Sequence, residues 1–122
     1  MKTSEKKGHT AKANYIQISP TKARRVADQV RGLPYVEAMS LLEHMPQRGA
    51  KFIRKAIHSA ASNAMYQNDD LDEDMLYVKT LLVDEGPRMK RLWYRARGRA
   101  DIIHKRLSHI TVVVDEIANT GE

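Results

Sequence analysis

Two β-prone runs lie far apart in the C-terminal half of the chain, and what joins them constrains the fold most. The first is Leu76-Tyr77-Val78-Lys79-Thr80-Leu81-Leu82-Val83, the second Ile110-Thr111-Val112-Val113-Val114, extended backwards through Leu107, Ile103 and Ile102. Alternation of this kind predicts two strands, with Leu76, Val78, Thr80 and Leu82 sharing one side of the first. The connection includes Gly86-Pro87-Arg88-Met89-Lys90-Arg91-Leu92-Trp93-Tyr94-Arg95-Ala96-Arg97-Gly98-Arg99-Ala100. Ordinary hairpin loops have about two to five residues. Six of these 15 residues are Arg or Lys and none is acidic. Such a stretch repels itself, so it does not collapse onto a basic protein. The two strands are expected to pair as an antiparallel ribbon, and so long a connection is functional, disordered or itself an extension of that ribbon, needing an anionic partner to become ordered.

The residue types name the partner's chemistry. Arg outnumbers Lys five to one in the connection, and the guanidinium fork matches phosphate oxygens and stacks on bases. Trp93 and Tyr94 add flat surfaces suited to unpaired bases. Trp93 is expected outside the core, because residues 91, 95 and 97 are all Arg. Gly86, Gly98, Ala96 and Ala100 permit tight turns and close backbone approach. The combination describes a probe inserted into folded RNA.

Charge along the chain is segregated. Residues 1–32 carry a net +6, 33–67 a net +2, 68–85 a net −6, 86–109 a net +7 and 110–122 a net −3. Basic regions flank an acidic one, as expected for a particle with one face on a polyanion and another in solvent. At 122 residues one domain is expected, with residues 1–12 a loose basic tail, 13–122 the folded unit and a hairpin over about 84–101. The chain has no Cys, which excludes disulfides, Cys-based zinc sites and thiol nucleophiles. No apolar run approaches the roughly 18 residues of a membrane span. The polar start lacks the apolar segment of a secretory signal, so a cytoplasmic location is expected.

Alternation from Asn14, with Ile16 and Ile18 on one side, predicts a short first strand. Ser19-Pro20 starts a helix, with Ala23, Val26, Ala27 and Val30 as its stripe and Gly32 as its stop. Pro34 opens a second helix with Val36, Met39, Leu42 and Met45 buried, ended by Pro46. A third runs from Arg48 to Gln67, packing Ile53, Ala56, Ile57, Ala60 and Ala64, with Lys51, Lys55 and His58 along another face. The Met residues read largely as core filler. The fold class is α+β: three helices packed on one face of a small, mainly antiparallel three-stranded sheet.

Chemistry-bearing motifs fail their tests. Asp70-Leu71-Asp72-Glu73-Asp74 imitates a calcium loop, but Met75 stands where Gly is needed and Leu81 where the bidentate Glu is needed. His9, His44, His58, His104 and His109 form no H-x-x-x-H pair, and surface or phosphate-contact roles suit them better. No nucleophile elbow or phosphate-cradling loop is present, so no catalytic residue, metal ligand or cofactor is assigned. A membrane-active hairpin would need a continuous apolar face beside Trp93 and Tyr94, which the sequence pattern does not supply. A DNA-binding architectural protein would bind duplex DNA as well as structured RNA.

Three stretches also resemble a known family over most of the chain, from Ala13 to Glu116. They are Tyr15-Ile16-Gln17-Ile18-Ser19-Pro20-Thr21-Lys22-Ala23-Arg24-Arg25-Val26-Ala27-Asp28 with Arg31-Gly32; Lys55-Ala56-Ile57 with Ser59-Ala60 and Asn63-Ala64; and Lys90, then Arg95-Ala96-Arg97-Gly98-Arg99, then His109-Ile110-Thr111-Val112-Val113-Val114. This pattern resembles the bacterial large-subunit ribosomal protein twenty-two family. The resemblance implies a structural, non-enzymatic protein that organises large-subunit rRNA during assembly. It also implies a long protruding β-hairpin whose tip lines the nascent-peptide exit tunnel near ribosomal protein four, where nascent peptide and macrolides pass. Carried over, Met89, Lys90 and Arg91 face the tunnel, with Leu92, Trp93 and Tyr94 completing the tip. Arg95, Arg97 and Arg99 contact rRNA on the returning arm, and Lys22, Arg24 and Arg25 from the first helix. Lys51, Lys55, Arg88, Lys105, Arg106 and His109 complete the candidate rRNA contacts. Trp93-Tyr94 stands where many bacterial members place Met-Pro.

Overall fold

Side-chain alternation and β-branching in the C-terminal half produce two long strands that pair with each other. The computed structural model describes residues 9–94 and 96–117. The elements are β1 (His9–Ile16), α1 (Pro20–Val30), α2 (Tyr35–His44), α3 (Arg48–Gln67), β2 (Leu76–Tyr94) and β3 (Ala100–Glu116). They form an antiparallel sheet of order β1-β3-β2, with the helices packed on it. The expected α+β class is what the molecule has. Strand β1 begins at His9, so residues 9–12 belong to the sheet rather than to a loose tail; residues 1–8 lie outside the described residues. The reason is backbone pairing: His9, Thr10, Ala11 and Lys12 face Val114, Val113, Val112 and Thr111 of β3.

Helix α1 starts where its chemistry dictates. The Ser19 hydroxyl accepts the Lys22 backbone N–H at 3.4 Å, and Pro20 occupies the first turn. Ala23, Val26, Ala27 and Val30 are fully buried, and Gly32 turns the chain with φ +86°. Helix α3 spans the expected residues and buries Ile53, Ala56, Ile57, Ala60 and Ala64. Its small alanines let it lie close to its neighbours. In α2 the buried stripe is Tyr35, Ala38 and Leu42, with Met39 and Met45 partly buried. Val36, expected inside, is 47% exposed. The cause is rotational phase: Tyr35 packs inward, its hydroxyl 3.2 Å from His58 Nδ1 on α3, and Val36 lies about 100° away around the helix. Met75 is exposed and Met89 is half-exposed on the hairpin, so neither fills the core.

Burial pushes the Tyr35 phenol above the ordinary tyrosine value near 10, with Glu73 adding to the shift and Arg54 opposing it. A raised folded-state value means stability present below pH 10 and lost as pH rises through the folded value. Urea denaturation between pH 8 and 11 is expected to show a steeper loss for the native chain than for Tyr35→Phe.

Strand β2 departs from simple alternation. Its register on β3 slips between Val78 and Thr80, and Lys79 is the extra residue of a β-bulge. Past the bulge the faces exchange, so Leu81 and Val83 are buried while Leu82 is 48% exposed. Thr80 and Leu82 therefore do not share the core side with Leu76 and Val78. A one-residue slip necessarily inverts every later side chain.

A second slip, between Glu85 and Arg88 opposite Leu107, marks where the ribbon leaves the body. A Cβ at Gly86 would sit 3.2 Å from the Leu107 carbonyl oxygen and 3.3 Å from the His109 ring. Buried Ser108 anchors the same point, its hydroxyl donating to the Ile18 carbonyl at 2.6 Å. Ser108→Ala would leave that buried carbonyl unpaired and is expected to cost about 1–3 kcal/mol in urea denaturation.

Candidate nucleic-acid interface

Beyond the second bulge the arms continue to pair from Arg88↔Arg106 to Tyr94↔Ala100. At about 3.4 Å per residue the paired arms extend roughly 20 Å from the body. None of the described residues on these arms is buried. The register sorts the side chains. One face carries Arg88 with Arg106, Lys90 with His104, then Leu92 with Ile102 and Tyr94 with Ala100. The other carries Met89 with Lys105, Arg91 with Ile103 and Trp93 with Asp101. Facing cations destabilise a ribbon, so the Arg88–Arg106 pair favours an anion between its members. Leu92, Ile102 and Tyr94 make the apolar face near the tip that the linear pattern did not disclose; Leu92 and Ile102 are 59% and 58% exposed.

Among the described residues the reversal of the chain falls at 96–99 rather than within 89–94. Arg97 (φ 64°) and Gly98 (φ 75°) adopt left-handed conformations there, which close the hairpin. Met89, Lys90, Arg91 and Leu92 thus occupy the outgoing arm, Trp93 and Tyr94 its last residues, and Arg97 and Arg99 the turn rather than the returning arm. Arg95 lies outside the described residues.

A cleft of about 760 Å³ opens between the body and the hairpin root. Lys22 and Arg25 of α1, Arg48 at the start of α3, and His104, Lys105 and Arg106 of β3 line it, with no acidic residue among the lining. Here tertiary structure unites residues more than 80 positions apart. Among the described residues, Lys22, Arg25, Lys105 and Arg106 form no ion pair with a carboxylate. The Arg48 guanidinium lies 5.7 Å from the centroid of the Phe52 ring. From Arg48 an exposed stripe continues along α3 through Lys51, Lys55 and His58, at the three- and four-residue spacing of one helix face. No acidic residue occurs in α3.

Two of the sequence candidates, Arg24 and His109, have structural duties. Arg24 donates from Nε and Nη2 to the Val83 carbonyl, at 3.1 and 2.9 Å. Arg31 grips the Leu81 carbonyl in the same way, at 3.1 and 2.7 Å. Residues 32–34 cover the next stretch, with Gly32 N–H donating to the Val78 carbonyl and Val78 N–H to the Leu33 carbonyl. Together they close the outer edge of β2, which unpaired would invite aggregation. His109 is likewise engaged at the root: its Nδ1 accepts the Tyr15 N–H at 3.1 Å, and the two rings meet edge-on at 4.8 Å. That bond helps hold Tyr15 at φ 60°. Arg48 and Gln47 were not among the sequence candidates; their place at the start of α3 was the available signal.

The acidic segment lies at the opposite end of the ribbon, where Leu76 pairs with Glu116 and Tyr77 with Asp115. Among the described residues, no group of three or more His, Cys, Asp or Glu could hold a metal ion, and no helix is long and apolar enough to cross a membrane.

A family model described as ribosomal protein L22p/L17e matches residues 11–115, which take in the whole hairpin and every element that lines the cleft. The chain belongs to the L22p/L17e family. It is 56% identical over 115 residues to the large ribosomal subunit protein uL22 of Treponema denticola, covering 94% of this chain and 98% of that one. The uL22 of Treponema pallidum is 50% identical over 119 residues, 98% of this chain and 96% of its own length. That of Borreliella burgdorferi is 52% identical over 108 residues, 88% of this chain and 90% of its own. For an L22p/L17e protein the absence of a catalytic constellation in the sequence is in keeping, since the family is one of structural ribosomal components rather than enzymes.

Proposed function

We propose that this chain is a structural constituent of the large ribosomal subunit in the cytoplasm, binding and organising large-subunit rRNA during assembly. The observation that carries the reading is the protruding ribbon with Arg88 set opposite Arg106, joined at its root to an acid-free cationic cleft. A polyanion relieves that repulsion, and the counterions released on contact supply the driving force. The paired ribbon supplies register, because a grooved RNA surface must be shaped to receive it. Lys22, Arg25, Lys51, Lys55, Arg88, Lys105 and Arg106 contact phosphates, while Arg24 and His109 act mainly by holding the body and hairpin in position.

The hairpin end helps line the nascent-peptide exit tunnel beside ribosomal protein four. Trp93, Tyr94, Arg97 and Arg99 lie closest to the passing peptide and to macrolides, with Met89, Lys90, Arg91 and Leu92 further back on the outgoing arm. The test is a density gradient of cell lysate with and without ribonuclease. Co-migration with the large subunit, lost on RNA digestion, is expected. Free protein at the top of the gradient in both samples would overturn the reading.

A further inference from the structure

The cleft at the hairpin root has more shape than a phosphate track needs. Its volume of about 760 Å³ lies in the range of roughly 300–1,000 Å³ typical of small-molecule sites. Its walls are of two kinds. Lys22, Arg25, Arg48, Lys105 and Arg106 are exposed cations, whereas Ile18 and Leu107 are 8% and 6% exposed and present the apolar part of the lining. Gln17 and Gln47 add two side-chain amides that can both donate and accept. A flat row of cations would suit a continuous backbone. A concave, partly apolar site with amides and a cationic surround suits a flat heteroaromatic base bearing phosphates.

Resting on the RNA-binding reading, we infer that this cleft takes one unpaired nucleotide of RNA. The base lies against Ile18 and Leu107, the amides of Gln17 and Gln47 meet its polar edge, and the flanking phosphates engage the cations. A base stacked in a duplex cannot enter without an unstacking cost of a few kcal/mol. The cleft therefore selects nucleotides already extruded, in bulges or loops. The hairpin arm and the body meet at this point, so the extruded nucleotide fixes where the ribbon crosses the RNA.

The test uses the full chain and three RNA stems of equal length. One is fully paired, one carries a single-nucleotide bulge, and one carries an abasic residue at the bulge. The intact bulge is expected to bind at least about tenfold tighter than the other two, the step that about 1.4 kcal/mol of contact with the base would give. Amide resonances of Ile18, Gly49 and Leu107 are expected to shift on its addition. Gln47→Trp fills the cleft while retaining every cation, and Gln47 makes no side-chain cap bond that the change would break. This variant is expected to bring the bulged-to-paired affinity ratio to about one, with an unchanged thermal midpoint. Gln17→Trp is the second filler, should the first unfold. Equal affinity for intact and abasic bulges would overturn the inference while leaving RNA binding intact. Failure to bind any of the three would overturn the RNA-binding reading itself.

Discussion

Changing Arg88, Lys90 and Arg106 together to Gln is expected to weaken binding to structured rRNA and, at the same time, to stabilise the free protein. The three side chains share one face of the hairpin, with Arg88 directly opposite Arg106. Each phosphate contact contributes roughly 0.7–0.9 to the salt slope, so losing the Arg88 and Arg106 contacts flattens it by about 1.4–1.8. Between 50 and 200 mM salt, the affinity advantage of the native chain over the variant would then shrink by about 7- to 12-fold. In free protein the same cations repel across the ribbon, and their removal should add some tenths of a kcal/mol. The Arg88–Glu85 pair, 3.8 Å apart and half-exposed on both sides, offsets little of this, since exposed pairs contribute only about 0–1 kcal/mol. Salt titrations and thermal melts measure the two effects. An unaltered salt slope would remove this face from the RNA interface.

A second large effect is expected from Ile57→Ala. Ile57 is fully buried on α3, among Ala56, Ala60, Ala61 and Ala64. The narrow alanine face leaves few large side chains to carry the layer between helix and sheet, so each isoleucine matters more. Truncation removes apolar burial and leaves a cavity, at about 2–5 kcal/mol. Against a total stability of about 5–15 kcal/mol, the melting temperature should fall by on the order of 10–20 °C. Ile102→Ala is the control: Ile102 is 58% exposed on the hairpin and should change stability by under about 0.5 kcal/mol. A small shift for Ile57→Ala in thermal or urea melts would mean that the core lies elsewhere.

Some of this molecule was legible one residue at a time. Ser19-Pro20 and Gly32 bound α1 because caps and left-handed turns are local events. The limits of α3 followed from its 3.6-residue periodicity, and the ribbon from β-branched alternation on both sides of a self-repelling segment. Val36 was misplaced because the stripe of a short helix shifts with its rotational phase, which Tyr35 sets through its contact with α3. The Lys79 bulge was invisible because nothing in residues 76–83 marks an extra residue in a ladder; the partner strand does.

The RNA-facing residues divide in the same way. Charge sign and the preference for Arg follow from composition, and so does the need for an anionic partner, because like charges repel whatever the fold. Which cations remain available is a matter of tertiary geometry. Arg24 and Arg25 are neighbours in the chain, yet Arg24 grips the Val83 carbonyl while Arg25 lines the cleft. Local backbone preferences and electrostatics suffice for the helices, the ribbon and its polyanion chemistry, since each acts between near neighbours or regardless of fold. The bulges, the closed β2 edge and the cleft arise on folding, because they depend on backbone groups and distances between residues far apart in the chain.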